Sequence, residues 1–82
     1  MTTPGQRLRA ALGARIRAAR EQAGLSQVQL ADRLKVSKAA VSQWEHGQVQ
    51  VSLERQLEIA AALGVNPGAF DKRLARLPAR GC

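Results

Sequence analysis

Side chains that perform acid–base, nucleophilic or metal chemistry are scarce in this chain of 82 residues. It has one histidine, His46, one cysteine, Cys82, and no tyrosine. A zinc ion needs several cysteine, histidine or carboxylate ligands at fixed spacings, which this pair cannot provide. A single small core also leaves little volume for a deep catalytic cleft. The sequence therefore predicts no enzyme, no metal site and no cofactor.

Most of the charged side chains in the sequence are positively charged. Lysines and arginines number 13 against 6 aspartates and glutamates, a formal net charge of +7, and the pI is near 11.4. This excess favours a polyanionic partner, with nucleic acid ahead of an anionic membrane surface. Aromatic residues, the usual stacking platforms for single strands and RNA, make up only 2% of the chain. Duplex DNA is therefore the favoured nucleic acid.

Nothing in the sequence indicates a membrane or a secretory route. Arginines interrupt the N-terminal part, which therefore lacks the apolar run of a signal peptide, and no stretch is apolar enough to span a bilayer. The apolar face of the first predicted helix is rich in alanine and too weak for a membrane surface. A single cysteine at the last position fits a reducing cytoplasm.

The elements that must position these side chains are helices. Prolines stand only at positions 4, 67 and 78, no stretch alternates apolar and polar residues as a strand does, and apolar residues recur at helical spacings. The sequence predicts an all-α, compact bundle of five short helices. The predicted start signals are Ser26, Ser37, Ser52 and Asn66, and the predicted stop signals are Gly24, Gly47, Gly64 and Pro78.

The apolar spacing also predicts which side of each helix faces inward. In the first helix the predicted inward residues are Leu8, Leu12, Ile16, Ala19 and Ala23. In the fourth they are Leu53, Leu57, Ala60, Ala61 and Leu63, and in the fifth they are Phe70, Leu74 and Leu77.

The most informative stretch is residues 27–46, which reads as two short helices joined by a very short link. Helices connected so tightly cross steeply, so a small residue is expected at their closest approach, and Ala31 fits. Val41 and Trp44 are then expected to point back at this contact, which makes core packing rather than base stacking the role of Trp44. The opposite, solvent-facing side is left to Lys38, Ala39, Ser42 and Gln43.

With its flanking helices, this stretch resembles the helix-turn-helix domain of lambda-type phage repressors and Cro proteins, the xenobiotic-response-element family. The resemblance covers about residues 8–70. It implies a bundle of four or five helices that binds duplex DNA, usually as a dimer on a palindromic operator. The motifs that carry it are REQAGLSQ at residues 20–27, LA at 30–31, VS at 36–37, VSQWE at 41–45 with Gly47, and LEIAAALG at 57–64.

The resemblance implies roles for individual residues. The third helix would read base edges in the major groove, with Lys38 suited to guanine and Gln43 to adenine, and each bidentate pair would give about 1 to 3 kcal/mol of discrimination. The start of the second helix would clamp a phosphate. The implied base readers are Lys38, Ala39, Ser42 and Gln43. The implied phosphate contacts are Gln27, Ser37, Gly47 and Gln48.

Two features depart from the family pattern. Lys35 stands at the turn position usually filled by glycine, and a positive φ there costs a non-glycine residue on the order of 1 kcal/mol. Residues 48–51 lack the basic side chains of many relatives. The missing phosphate contacts are therefore expected to move to Arg15, Arg17 or the N-terminal arm.

Arg20 and Glu45 occupy positions that form an ion pair in the family, which ties the first helix to the end of the third. By resemblance they are structural. The alternative is that they are two solvated surface charges, whose pairing would contribute about 0 to 1 kcal/mol.

The predicted organisation is a flexible N-terminal arm at residues 1–6, a Cro/C1-type helix-turn-helix domain at 7–70, and the end of the fifth helix with a tail at 71–82. This last part offers a dimer contact. The dimer candidates, weighed evenly against packing inside the monomer, are Phe70, Leu74 and Leu77.

The leading hypothesis is a sequence-specific regulator of transcription that binds double-stranded DNA, most simply a dimeric repressor that occupies a palindromic operator. The alternative is an antitoxin, which binds a toxin as its protein partner and autoregulates its operon. An antirepressor is another conceivable protein partner. The sequence alone does not separate these hypotheses.

Overall fold

The computed structural model describes residues 3–71, and this part of the chain is all-α, as predicted. Its elements are α1 (Pro4–Gln22), α2 (Gln27–Leu34), α3 (Lys38–Glu45), α4 (Leu53–Leu63) and a 3-10 helix (Pro67–Ala69). The predicted count of five helices is not confirmed, because only the 3-10 turn stands where the fifth should start. The rest of that helix, with Leu74 and Leu77, lies outside the described residues. None of the described helices has the length and hydropathy needed to span a bilayer.

Side-chain caps fix where the later helices begin. The Ser26 hydroxyl accepts a hydrogen bond from the Gln29 N–H, and the Gln29 side chain accepts one from the Ser26 N–H, so the predicted capping box is present. Ser37 caps α3, Ser52 caps α4 and Asn66 caps the 3-10 helix. All four predicted start signals are therefore confirmed, because each satisfies a backbone donor that the helix itself leaves unpaired.

The first helix begins earlier than predicted. Thr3 caps it in a capping box with Gln6, and Pro4 is its first residue. The fixed φ of proline suits the first position of a helix, where its missing N–H is not needed, and this outweighs the cost of Gly5. The prediction of a flexible arm over residues 1–6 is therefore wrong for residues 4–6.

Helix α2 ends at a lysine in the left-handed conformation. Lys35 has φ 58° and ψ 44°, whereas the other described residues with positive φ are glycines. The N–H groups of Lys35 and Val36 donate to the carbonyls of Asp32 and Ala31, which closes the last turn of the helix. The turn thus has the shape that glycine usually provides, and it carries the steric penalty of a Cβ atom.

Replacing Lys35 by glycine is expected to stabilise the fold by about 0.5 to 1 kcal/mol, because the left-handed conformation penalises a side chain by more than glycine loses in chain entropy. Thermal unfolding followed by circular dichroism measures the change. Lys35→Ala is the control, since alanine keeps the Cβ atom and removes only the charged chain. Equal stabilisation by alanine would show that the charge, rather than the backbone conformation, is unfavourable.

Each α-helix contributes one large, fully buried side chain to the core. Trp44 is buried beside them, and the guanidinium carbon of Arg55 lies 5.5 Å from the centroid of its ring. Trp44 is therefore a core residue, as predicted. The four largest fully buried residues are Ile16, Leu30, Val41 and Ile59.

Two predicted inward faces are wrong in part. Leu8 is 72% exposed, because α1 has 19 residues and its first turns extend past α3, which has only 8. In α4, Leu53 and Ala61 are exposed, whereas Gln56 and Ile59 are buried. Helix α4 is thus rotated about its axis relative to the face that its leucines suggest.

Two glycines bring the backbone of α1 into direct contact with the end of α3 and with the residues that follow it. A Cβ atom at Gly13 would overlap the carbonyl oxygens of Trp44 and Glu45 and lie 2.8 Å from the carbonyl carbon of Glu45. A Cβ atom at Gly47 would lie 2.7 Å from the backbone nitrogen of Ala10. No side chain separates the helices at these points, so the backbone itself sets the position of α3 on α1.

Candidate nucleic-acid interface

Helix α3 has one face in the core and one in solvent. Val41 and Trp44 are buried, while Lys38, Ala39 and Gln43 are exposed. The outward face therefore presents an ammonium group, a methyl group and a carboxamide, which together can donate to guanine, contact thymine and pair with adenine. Because the end of α3 packs backbone against backbone on α1, the helix that carries these groups is held in a fixed position.

Ser42, the remaining predicted base reader, lies at the edge of this face. It is half-buried, and its hydroxyl oxygen is 3.3 Å from Nδ1 of His46. The same Nδ1 lies 2.7 Å from the Ser42 carbonyl oxygen, to which a protonated Nδ1 donates. The Ser42 hydroxyl is thus held beside the imidazole, and it reaches less far outward than Lys38 or Gln43.

Gln27 lies at the first position of α2, where the N–H groups of the first helical turn point out of the helix end. Its side chain is directed toward the end of α3, because its amide nitrogen donates to Oε1 of Glu45 at 3.1 Å. The amide has a second N–H, which this bond does not use. Gln27 therefore joins the start of α2 to the end of α3.

Ser37 and the residues after α3 have fewer groups left for a phosphate than the resemblance implies. The Ser37 hydroxyl accepts from the Ala40 N–H at 3.1 Å, which leaves its own hydrogen to donate. The N–H of Gly47 donates to Trp44 and that of Gln48 donates to Gln43. Both backbone donors already have acceptors, so a phosphate contact here is left to the exposed Gln48 side chain.

Arg15 and Arg17, the predicted substitutes for a basic loop, both have partners within the chain. The Arg15 guanidinium donates to the Phe70 carbonyl at 3.3 Å, which ties α1 to the end of the described chain. Arg17 lies 3.7 Å from Glu21, and both side chains are more than half exposed. Such an exposed pair contributes little to stability and opens at low cost, so of the two arginines Arg17 is the better placed to turn toward a phosphate.

Arg20 and Glu45 form a buried ion pair between α1 and the end of α3. Nε of Arg20 donates to Oε2 of Glu45 at 2.6 Å and Nη2 donates to Oε1 at 3.1 Å, and the two side chains are only 10% and 2% exposed. Nη1 donates to the Leu25 carbonyl at 2.8 Å. This burial and geometry do not fit the alternative of two solvated surface charges.

The Arg20 guanidinium is charged at every pH at which the protein would be studied. The hydrogen bond to Glu45 raises the pKa of Arg20 above its ordinary value, against the opposing effect of burial. Because the folded-state pKa is raised, the stabilisation by the charged form is fully present at neutral pH and is lost only in strongly alkaline solution. The Arg20 side of the ion pair therefore keeps its charge throughout the neutral range.

Phe70 packs inside the monomer. It is 3% exposed and belongs to the hydrophobic core. Of its two predicted roles, dimer contact and internal packing, this burial favours the second. The other two dimer candidates, Leu74 and Leu77, lie outside the described residues.

Sequence reasoning missed two features of this site. The bond between Gln27 and Glu45 joins residues far apart in the sequence, and no local pattern indicates it. The seating contact at Gly13 left one weak signal, since an isolated glycine inside a helical pattern often marks a close approach.

Comparisons with known proteins point to one family. A model of the helix-turn-helix family matches residues 16–70, while no curated protein matches the chain. The restriction-modification controller protein C.AhdI from Aeromonas hydrophila is 32% identical, with a TM-score of 0.77 over 83% of this chain and 99% of that chain. The clp gene regulator ClgR from C. glutamicum is 32% identical, with a TM-score of 0.75 over 90% of this chain and 96% of that chain.

The match to the family model includes all of α2, α3 and α4 and most of the core. Both similar structures belong to regulatory proteins rather than enzymes, and each is covered almost completely. The chain therefore belongs to the helix-turn-helix family of the lambda repressor, Cro and xenobiotic-response-element type, whose members are DNA-binding regulators of transcription.

Proposed function

We propose that this protein is a cytoplasmic, sequence-specific regulator that binds double-stranded DNA as a dimer and represses transcription by occupying a palindromic operator. The observation that carries the proposal is the outward face of α3. Lys38, Ala39 and Gln43 are exposed on a helix whose other face is core. A rigid helix with such a face fits the major groove, which admits one α-helix and displays a distinct pattern for each base pair.

Charge supports the same partner. The chain carries a net charge of +7, which draws the protein to the phosphate backbone and gives affinity for any duplex. Phosphate contacts from the start of α2, through Gln27 and the N–H groups of its first turn, would then set the register of α3 in the groove. In this arrangement, α2 positions the protein on the phosphate backbone and α3 recognises the base sequence.

The proposed dimer follows from the kind of operator that this family reads. Two copies related by a twofold axis would place their α3 helices on half-sites about 34 to 36 Å apart. Repression by occupancy would need only a DNA-binding surface, for which the exposed face of α3 is the candidate. The similarity to a restriction-modification controller and to a gene regulator supports a regulatory role.

Selection of bound sequences from a random duplex library tests the proposal. At physiological salt we expect enrichment of a palindrome, and the enriched duplex should bind at least about a thousandfold more tightly than a scrambled one. Absence of enrichment, with weak and steeply salt-dependent binding to every duplex, would contradict sequence-specific regulation. A stable protein partner recovered together with the chain would then favour the antitoxin alternative.

Gln43→Ala is expected to relax base preference at one position in each half-site, at a cost of about 1 to 3 kcal/mol for the preferred base, because the carboxamide is the bidentate reader on the exposed face. Repeating the library selection with the variant measures the change. Gln22→Ala, at an exposed glutamine near the end of α1, is the matched control and should leave the selected sequence as it is. An unchanged preference in Gln43→Ala would remove Gln43 from the readout.

A further inference from the structure

The carboxylate of Glu45 binds more than its ion-pair partner. Its Oε2 accepts from Nε of Arg20, while its Oε1 accepts both from Nη2 of Arg20 and from the Gln27 amide nitrogen, each at 3.1 Å. The two bonds from Arg20 already complete a bidentate ion pair. The bond to Gln27 is therefore an addition that the ion pair itself does not require.

This bond fixes which way the Gln27 amide points. A carboxylate only accepts, so the amide must turn its nitrogen, and not its oxygen, toward Glu45. One N–H is used there and the second remains at the first turn of α2. If the amide turned over, its oxygen would instead be available at the proposed phosphate site, where it would be repelled.

We infer that Glu45 is a positioning residue for DNA binding, which acts through Gln27 and never touches the DNA itself. Its buried carboxylate, held by Arg20, orients the Gln27 amide so that a donor is presented to a backbone phosphate. The inference rests on the proposed function, in which Gln27 contacts that phosphate. Beyond that function, we infer that the end of α3 and the start of α2 form one preorganised unit. The position of α3 relative to the phosphate contact is then fixed before the protein binds DNA.

The test removes the carboxylate without changing the charge of the protein. Arg20→Met/Glu45→Met replaces the ion pair by an apolar pair of similar size and leaves the net charge as it was, which matters because DNA affinity depends on charge. We compare the wild type, this pair variant, Gln27→Ala and the triple variant by fluorescence anisotropy, with both the selected operator and a scrambled duplex. Circular dichroism of each variant first establishes the temperature range in which it is folded.

The pair variant and Gln27→Ala are each expected to lose about tenfold in affinity for both duplexes, the effect of one hydrogen bond to a charged group. The triple variant should lose no more than either, because the two changes act on the same contact. In the protein without DNA, nuclear magnetic resonance should show slow exchange of a Gln27 side-chain amide proton, and fast exchange in the pair variant. Ile59→Val, a mild change in the core away from Gln27, should bind as the wild type does.

The outcomes separate the inference from the function on which it rests. If Gln27→Ala weakens binding but the folded pair variant binds like the wild type, or if the two losses multiply in the triple variant, Glu45 does not position Gln27. If Gln27→Ala itself binds both duplexes like the wild type, the phosphate contact is wrong and the inference falls with it. Should the pair variant not fold, Glu45→Gln replaces it, with Gln22→Glu at an exposed position in α1 as a reference for the effect of one charge. Glu45→Gln must then lose as much DNA affinity as Gln27→Ala does. Combining it with Gln27→Ala must cause no further loss of affinity.

Discussion

Gly13→Ala is expected to lower the free energy of unfolding by about 3 kcal/mol or more, at the upper end of the usual cost of overpacking. The added methyl group would overlap the carbonyl oxygens of Trp44 and Glu45. These are backbone atoms, so no side chain can rotate away, and α1 must move apart from the end of α3. For a small domain with a total stability of about 5 to 15 kcal/mol, this is a large share.

Gly5→Ala is the matched control for this prediction, since it makes the same substitution in the same helix. The nearest atom to a Cβ at Gly5 is Nη1 of Arg9 at 3.4 Å, the end of a flexible side chain. Alanine there should leave the stability unchanged or raise it by up to about 1 kcal/mol, because it favours the helix. Urea unfolding of both variants gives the two free energies, and a Gly13→Ala protein as stable as the wild type would show that α1 and α3 are not in contact through their backbones.

Arg20→Met is expected to destabilise the fold by about 3 to 5 kcal/mol, because it leaves the buried carboxylate of Glu45 without a counter-charge. The Glu45 side chain is only 2% exposed, so water cannot replace the guanidinium. The Leu25 carbonyl loses its donor as well. Chemical denaturation at neutral pH measures the loss.

Arg20→Met/Glu45→Met is expected to recover most of that loss. Two apolar side chains of similar size fill the same space and leave no charge without a partner, and such replacements of buried ion pairs are often neutral or stabilising. A double variant as unstable as Arg20→Met would show that the pair contributes through its exact hydrogen bonds and not merely through mutual neutralisation.

The helix boundaries were predictable because their signals are local. Ser26, Ser37 and Ser52 cap the backbone within three residues of themselves, so the sequence around each is enough to place a helix start. The family pattern, which puts glycine at position 35, marked Lys35 as the turn residue, and only the structure shows that it adopts the left-handed conformation. The start of α1 lies earlier than predicted, because Thr3 caps the helix and Pro4 suits its first position despite Gly5.

The faces of the helices were less predictable, because packing partners decide them. In α4 the leucines suggested one face, yet Gln56 is buried and its amide nitrogen donates to the Val51 carbonyl at 3.0 Å. A glutamine gives no apolar signal, so a periodicity argument overlooks it. Likewise Arg15 was expected at a phosphate, while its guanidinium donates to the carbonyl of Phe70, a contact between distant parts of the chain.

The candidate site likewise has features that the sequence predicts and features that only the tertiary structure shows. The outward face of α3 could be inferred from the inward positions of Val41 and Trp44, since a helix with one buried face has an opposite one. The link between Gln27 and Glu45 could not, because it depends on the crossing of α2 and α3. Sequence patterns thus indicate which residues face outward, and tertiary structure decides how those residues are supported.

The glycine contacts between α1 and α3 have a consequence for changing specificity. Because Gly13 and Gly47 seat α3 through backbone atoms, its place in the protein does not depend on the side chains that it shows to solvent. Exchanging Lys38, Ala39 and Gln43 for other residues should therefore retarget the protein to new operators while the scaffold stays the same. Related proteins that keep the two glycines can therefore change the exposed residues of α3, and with them the preferred operator, without changing the packing of the domain. Loss of either glycine would instead displace α3 and impair DNA binding whichever residues it exposes.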